Sequence, residues 1–160
     1  MIDFDNIRKV VVAGLKGYLN VPVIRSNQTG KPPEYPYVSY TITTPMSQNK
    51  GTYGRYDDNK ERKPFTQTWS ITVQSDDNSE CVELAIKAHE WLDYVGRVHL
   101  TDNGVVVQQV GGVNNRDNLL TIEYEYRNGF DVIFGIMNEV DDTTYLSGTI
   151  ESIEFDSKLR

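Results

Sequence analysis

Between residues 120 and 136 the large apolar side chains Leu120, Ile122, Tyr124, Tyr126, Phe130, Val132, Phe134 and Ile136 fall on even numbers. Glu123, Glu125, Arg127 and Asp131 fall on odd ones. A period of two is what a pleated strand imposes, because successive side chains leave on opposite faces. The segment also holds Asn128-Gly129, a dipeptide that favours a two-residue hairpin turn. A turn there would set Tyr126 opposite Asp131 and Arg127 opposite Phe130, mixing apolar and charged residues on each face. The alternation therefore predicts one strand over 119–136, with Gly129 as a bulge or bend. At ~3.3 Å per residue such a strand runs upward of about 50 Å, longer than a small domain needs. Part of it is expected to reach beyond the core toward a neighbour.

The same period marks other strands. Val38, Tyr40 and Ile42 alternate with Ser39, Thr41 and Thr43, which predicts a strand over 36–44. Phe65, Trp69, Ile71 and Val73 face away from Thr66, Thr68, Ser70 and Thr72, predicting another over 65–75. A third is expected at 105–110 (VVVQQV), followed by a turn-rich connector, GGVNNRDN.

Helical spacing appears twice. Phe4, Ile7, Val11, Leu15 and Tyr18 predict an amphipathic helix over 3–19, with Asp3 or Asp5 capping its first turn and Pro22 beyond its end. Cys81, Leu84, Ala85, Ala88, Leu92 and Val95 predict a second, running to about Tyr94. Asp77 and Glu80 stand three apart at its start, the spacing of a capping box. The expected fold is α+β: a mostly antiparallel sheet covered by two helices, in a single domain spanning 1–160.

Residues 45–64, PMSQNKGTYGRYDDNKERKP, carry no aliphatic residue except Met46 and bear charges of both signs. A polar stretch this long reads as a loop or an extended two-stranded arm that orders against another subunit. Its Tyr53, Arg55 and Tyr56 are candidate anchors, since tyrosine and arginine concentrate binding energy at interfaces. The polar face of the late strand, with Glu123, Glu125 and Arg127, is the second candidate patch. The tail, 138–160, holds six acids and two bases; Ile150, Ile153 and Phe155 suggest a short final strand, on its own sheet or across a subunit boundary.

The candidate chemistry is thin. The net charge is −7, which disfavours a nucleic-acid surface spread over the whole domain. The lone Cys81 cannot form an internal disulfide, and no Cys/His spacing suggests zinc, so no metal or cofactor is expected. His89 on the second helix reads as a packed histidine; His99 is expected in a strand or turn near Asp102. Neither stands beside a recognisable nucleophile motif, so no catalytic set is assigned. Asp76-Asp77 lacks the remaining ligands of a calcium loop, which leaves capping as its role. No stretch approaches the ~20 apolar residues of a membrane span, and the N-terminus does not read as a signal peptide.

Three segments, in order, resemble the tail terminator or neck terminator proteins of tailed bacteriophages. PPEYPYVSYTITTP (32–45) is similar to that family's proline-rich lead-in to a PYVxY strand. TWSITVQSDDNSECVELAIKAHEWL (68–92) is similar to its strand, acidic turn and helix. YEYRNGFDVIF (124–134) is similar to its late strand. The resemblance covers roughly residues 3–135 and leaves the acidic tail unmatched.

It implies a structural virion protein, assembled in the host cytoplasm and placed in the tail or neck. Such a protein forms a homo-oligomeric ring, commonly a hexamer, that ends tail-tube polymerisation. Its expected partners are further copies of itself, the tail tube protein and the head connector or stopper protein. DNA would pass through without specific binding, and no cofactor or membrane is involved. The alternatives are another connector, adaptor or tail-tube subunit and, furthest from the residues, a small enzyme or ligand-binding domain.

Overall fold

The long strand and its partner organise the molecule. In the computed structural model, which describes residues 2–48, 54–55, 60–118 and 124–141, β4 (Lys60–Ser75) and β7 (Tyr126–Asp141) pair antiparallel without interruption, from Ser75 opposite Tyr126 to Lys60 opposite Asp141. Asn128-Gly129 makes no turn, because Gly129 lies in unbroken register with Thr72. Gly129 is neither a bulge nor a bend. A Cβ there would meet the carbonyl of Ile71 and stand 2.9 Å from the Arg116 guanidinium, so the glycine admits a close approach instead.

The strand's limits differ from the expected 119–136. Residues 119–123 lie outside the described residues, and Tyr124, expected on the buried face, is 88% exposed. The cause is the partner: β4 stops at Ser75, where the cap of the next helix begins, so among the described residues β4 offers no pairing upstream of Tyr126. At the other end β7 continues past Ile136 to Asp141 because β4 begins early, at Lys60. Asn138 and Glu139 gave no apolar alternation to betray it.

Around this pair, β1 (Val23–Arg25), β2 (Tyr37–Gln48), β3 (Gly54–Arg55), β5 (Val105–Val110) and β6 (Asn114–Asn115) complete a seven-stranded sheet. Its main path runs β1-β2-β4-β7-β5, and only the β1–β2 pair is parallel. In the stretch 45–64, expected as a loop or an extended two-stranded arm, the described residues are strand. β2 continues to Gln48 through two register shifts around Pro45, β3 pairs with β4, and β4 opens at Lys60. Pro64 falls where β4 changes partner from β2 to β3, a place where a missing backbone N–H is tolerated.

The helices cover one face. In α1 (Phe4–Leu19) the Asp3 side chain accepts from the Asn6 N–H at 3.0 Å, and the buried stripe is Ile7, Val11, Leu15 and Leu19; Phe4 and Tyr18 are exposed. At α2 (Asn78–Glu90) Asp77 accepts from the Glu80 N–H at 2.9 Å. Glu80 answers through Ser75, whose hydroxyl donates to the Glu80 carboxylate at 2.7 Å and accepts from the Asp77 N–H at 3.1 Å.

The second helix does not end near Tyr94. It widens into a π-helical turn, Trp91–Val95, and resumes as a third helix, α3 (Arg97–Asp102), which holds His99. The wider turn carries Val95 off the apolar stripe and leaves it 47% exposed. Trp91 turns inward instead, and its ring fills the space above Gly14 and Gly96, where a Cβ on either would collide with it.

The core between helices and sheet contains Val38, Tyr40, Phe65, Trp69, Ile71, Phe130 and Phe134 with the helix stripes. Trp69 stacks on Tyr40 at 5.1 Å and meets Phe134 edge-on at 5.5 Å; its indole N–H donates to the amide oxygen of buried Gln67 at 3.1 Å, so the indole's polar atom is satisfied.

Candidate functional site

Beyond Phe65 and Ile136 the β4–β7 ladder leaves the core and continues as an arm, joined by the end of β2 and by β3. Glu139 stands directly across from Arg62 and accepts from it at 3.1 Å, with the Lys60 ammonium at 3.5 Å. The Arg62 hydrogen bond, with both cations nearby, holds the Glu139 carboxyl below the usual range. Met46, Met137 and Val140 are 46%, 46% and 42% exposed on the same arm. Met137 and Val140, three apart in β7, leave on opposite faces of the arm, so these apolar groups make it a candidate for contact and not one continuous patch. The sequence pattern does not mark either residue, because Met137 falls on an odd number, off the even-numbered apolar face, and Val140 stands between two acids. Of the three anchors expected here, Arg55 lies in β3 opposite Glu61, while Tyr53 and Tyr56 lie outside the described residues.

The opposite end of the pair holds the second candidate patch. Glu123 lies outside the described residues, and Glu125 precedes β7 instead of belonging to it. Arg127 donates twice to one Glu125 oxygen, from Nε at 3.0 Å and from its terminal nitrogen at 2.6 Å. Thus Glu125 and Arg127 come together as one partly buried ion pair, not as two free anchors. Tyr37 lies against them: burial first, then the Glu125 charge, pushes its phenol above the usual range, with Arg127 opposing.

Here the sheet face away from the helices is partly roofed. Residues 26–33 leave β1 and fold over it, with Asn27 (φ 65°) and Gly30 (φ 142°) in left-handed conformations. Between this loop and the sheet lies a cleft of about 450 Å³, with Ser39, Thr72, Gln74 and Arg127 at its floor and Arg25 and Lys31 at its rim. The floor is rigid. In the orientation that satisfies both ends of its amide, buried Gln74 donates to the carbonyls of Thr72 (2.9 Å) and Tyr37 (3.2 Å) and accepts from Ser39 at 2.7 Å.

Next to the cleft the connector after β5 is tied down by Arg116. It donates to Ser70 Oγ at 2.7 Å, Thr72 Oγ1 at 3.0 Å and Asp131 Oδ1 at 3.0 Å; Asp117 then accepts the Arg127 N–H at 2.6 Å. Arg116 went unnoticed in the sequence because all three of its side-chain partners are distant along the chain. Gly129 is the one local sign of its approach.

The sequence's reactive groups sit in the core or on the helices. His89 meets Phe130 edge-on at 5.3 Å, and His99 packs at 6.5 Å from Trp91. The Cys81 thiol is fully buried, 3.3 Å from the carbonyls of Val73 and Tyr126, and burial pushes its pKa up. Among the described residues no group of three or more His, Cys, Asp or Glu could hold a metal ion, and no helix is long and apolar enough to cross a membrane.

These features define a class: an α+β domain with a strand arm at one end of its longest strand pair and a polar cleft at the other. Residues 5–159 match the phage neck terminator protein family, and the chain belongs to that family. It is a structural component of the virion neck, with a role in head–tail joining. The curated proteins give no match. One solved structure aligns over 85% of this chain and 96% of its own at 15% identity and a TM-score of 0.41, a likeness that adds nothing to the assignment.

Proposed function

We propose that the protein closes into a homo-oligomeric ring, hexameric as its family resemblance implies. The ring caps the completed tail tube, ends its polymerisation and presents a docking surface to the head connector. One observation carries this reading: the two candidate contact surfaces lie at opposite ends of the β4–β7 ladder. From Glu61 on the arm to Gln74 at the cleft, β4 runs about 43 Å. A ring needs a head-to-tail interface in which two different patches of one chain meet. The net charge of −7 suits a channel through which DNA slides, because few cations are available to hold phosphates.

Native mass spectrometry of the full chain, alone and with tail tubes, tests the reading. Closed rings of one size, bound to tube ends, are expected. A chain that stays monomeric with tubes present overturns the proposal, and open-ended filaments would make it a tube subunit. Replacing residues 49–59 by a short turn should leave a folded chain that no longer closes rings. Phage lacking the protein should accumulate unjoined heads and tails.

A further inference from the structure

The cleft has a charge that the rest of the chain does not. Arg25, Lys31 and Arg127 line it and no carboxylate does, in a protein with 23 acidic and 16 basic residues. Glu125, behind Arg127, neutralises one of the three. None of the ion pairs among the described residues involves Arg25 or Lys31. Such a site fits an acidic extended peptide: room for several side chains, a floor of fixed hydrogen-bonding groups, and cations at the rim.

The chain carries such a peptide. Residues 142–160, outside the described residues, contain Asp142, Glu151, Glu154 and Asp156 against Lys158 and Arg160. In an extended conformation Glu154 and Asp156 would share one face. This segment leaves β7 at Asp141, on the arm, and β7 has by then carried the chain about 46 Å away from Arg127. A flexible coil from Asp141 to Glu154 spans only ~20 Å on average, and would need nearly full extension to come back. A neighbouring subunit has no such constraint.

We propose that the acidic C-terminal segment of each subunit docks into the Arg25–Lys31–Arg127 cleft of the next copy. The inference rests on the ring reading above and supplies its interface with a second, charge-paired element. The family match runs to residue 159 and so takes in the acidic segment, against the expectation that it lies outside the resemblance; the docking gives that segment a place in the assembly.

The test uses the full chain with Gln28→p-benzoylphenylalanine at the cleft rim, prepared in light and ¹⁵N-heavy forms and mixed before assembly. Irradiation followed by mass spectrometry should identify crosslinks from position 28 to residues 142–160. Mixed-isotope pairs should be as abundant as the two same-isotope pairs together. Same-isotope pairs alone would show the segment folding back on its own subunit, and would overturn the proposal. Rings that form without any crosslink to 142–160 would overturn it while leaving ring closure standing; a chain that never assembles defeats both. Arg25→Glu with Lys31→Glu should lower the crosslink yield about tenfold. Adding Glu151→Lys, Glu154→Lys and Asp156→Lys to the same chain should restore it; failure of this charge swap to restore docking counts against the pairing.

Discussion

Gly129 shows how one missing side chain holds two layers together. With no Cβ, the backbone of β7 lies against Ile71 of β4 and leaves the Arg116 guanidinium room to reach Ser70, Thr72 and Asp131. Gly129→Ala must push one of these away, and overpacking of this kind costs roughly 1–3 kcal/mol. Urea denaturation should read that loss. Gly14 is a second case with a competing effect. Alanine in a helix interior usually gains about 1 kcal/mol over glycine. Here the Trp91 ring occupies the space and is held from the other side by Gly96, so Gly14→Ala should destabilise.

Cys81 gives a pH dependence whose sign is set by burial. The folded state raises the thiol pKa, so the folded chain holds its proton where the unfolded chain releases it. Its stabilising effect is complete below the ordinary thiol pKa of about 8.5 and declines as pH rises above it. The denaturation midpoint should fall between pH 8 and pH 10, roughly, and Cys81→Ala should flatten that slope. A thiol reagent should label Cys81 only as fast as the protein opens.

At the scale of elements, the cap of α2 is a small circuit of Asp77, Ser75 and Glu80 that ends β4 and starts the helix. Asp77→Ala should cost ~1 kcal/mol, the usual value for losing a cap, measured by chemical denaturation. The arm behaves oppositely, since its strands are paired but rest on no core. In the isolated subunit the amides of Lys60–Pro64 and Met137–Asp141 should exchange with solvent much faster than those of Trp69–Val73. In the assembly they should become protected; equal protection in both states would remove the arm from the interface.

The elements also show what sequence reading reaches. Periodicity located α1, β2, β4, α2, β5 and β7 because each has one face on the core, and burial imposes the pattern. It failed where no core lies beneath. The arm strands show no alternating apolar face, their Met46, Met137 and Val140 falling singly, and β1 is only Val23–Arg25, too short for a period to be seen. The π-helical turn was hidden because Trp91 and Leu92 continue an apolar stripe that only geometry redirects. At the site, Glu125 and Arg127 were found as residues but not as a pair, since nothing in their spacing shows that the strand starts after Glu125. The cleft was not legible at all, because its floor and roof come from segments far apart in the chain.

For the molecule as a whole, the arrangement separates stability from assembly. The apolar core is bounded by the helices and the middle of the sheet, and both proposed contact surfaces, the arm and the cleft, lie outside it. Replacing residues 49–59 by a short turn should therefore shift the unfolding free energy by no more than about 0.5 kcal/mol while abolishing rings. A thermal scan beside native mass spectrometry would check both halves of that statement.

The order in which the β4–β7 ladder closes carries a consequence for the newly made chain. Its rung nearest the cleft joins Ser75 to Tyr126, and its last rung joins Lys60 to Asp141, so every rung toward the arm closes a longer loop. Loop length alone adds little cost per rung, but core contacts reward the rungs at Trp69 and Ile71 and not those at Lys60 or Arg62. The ladder zips from the core outward, and the arm forms last. A chain with an unfinished core then has no finished arm to offer, so if the arm closes the ring as proposed, maturation of the fold would act as a licence for recruitment.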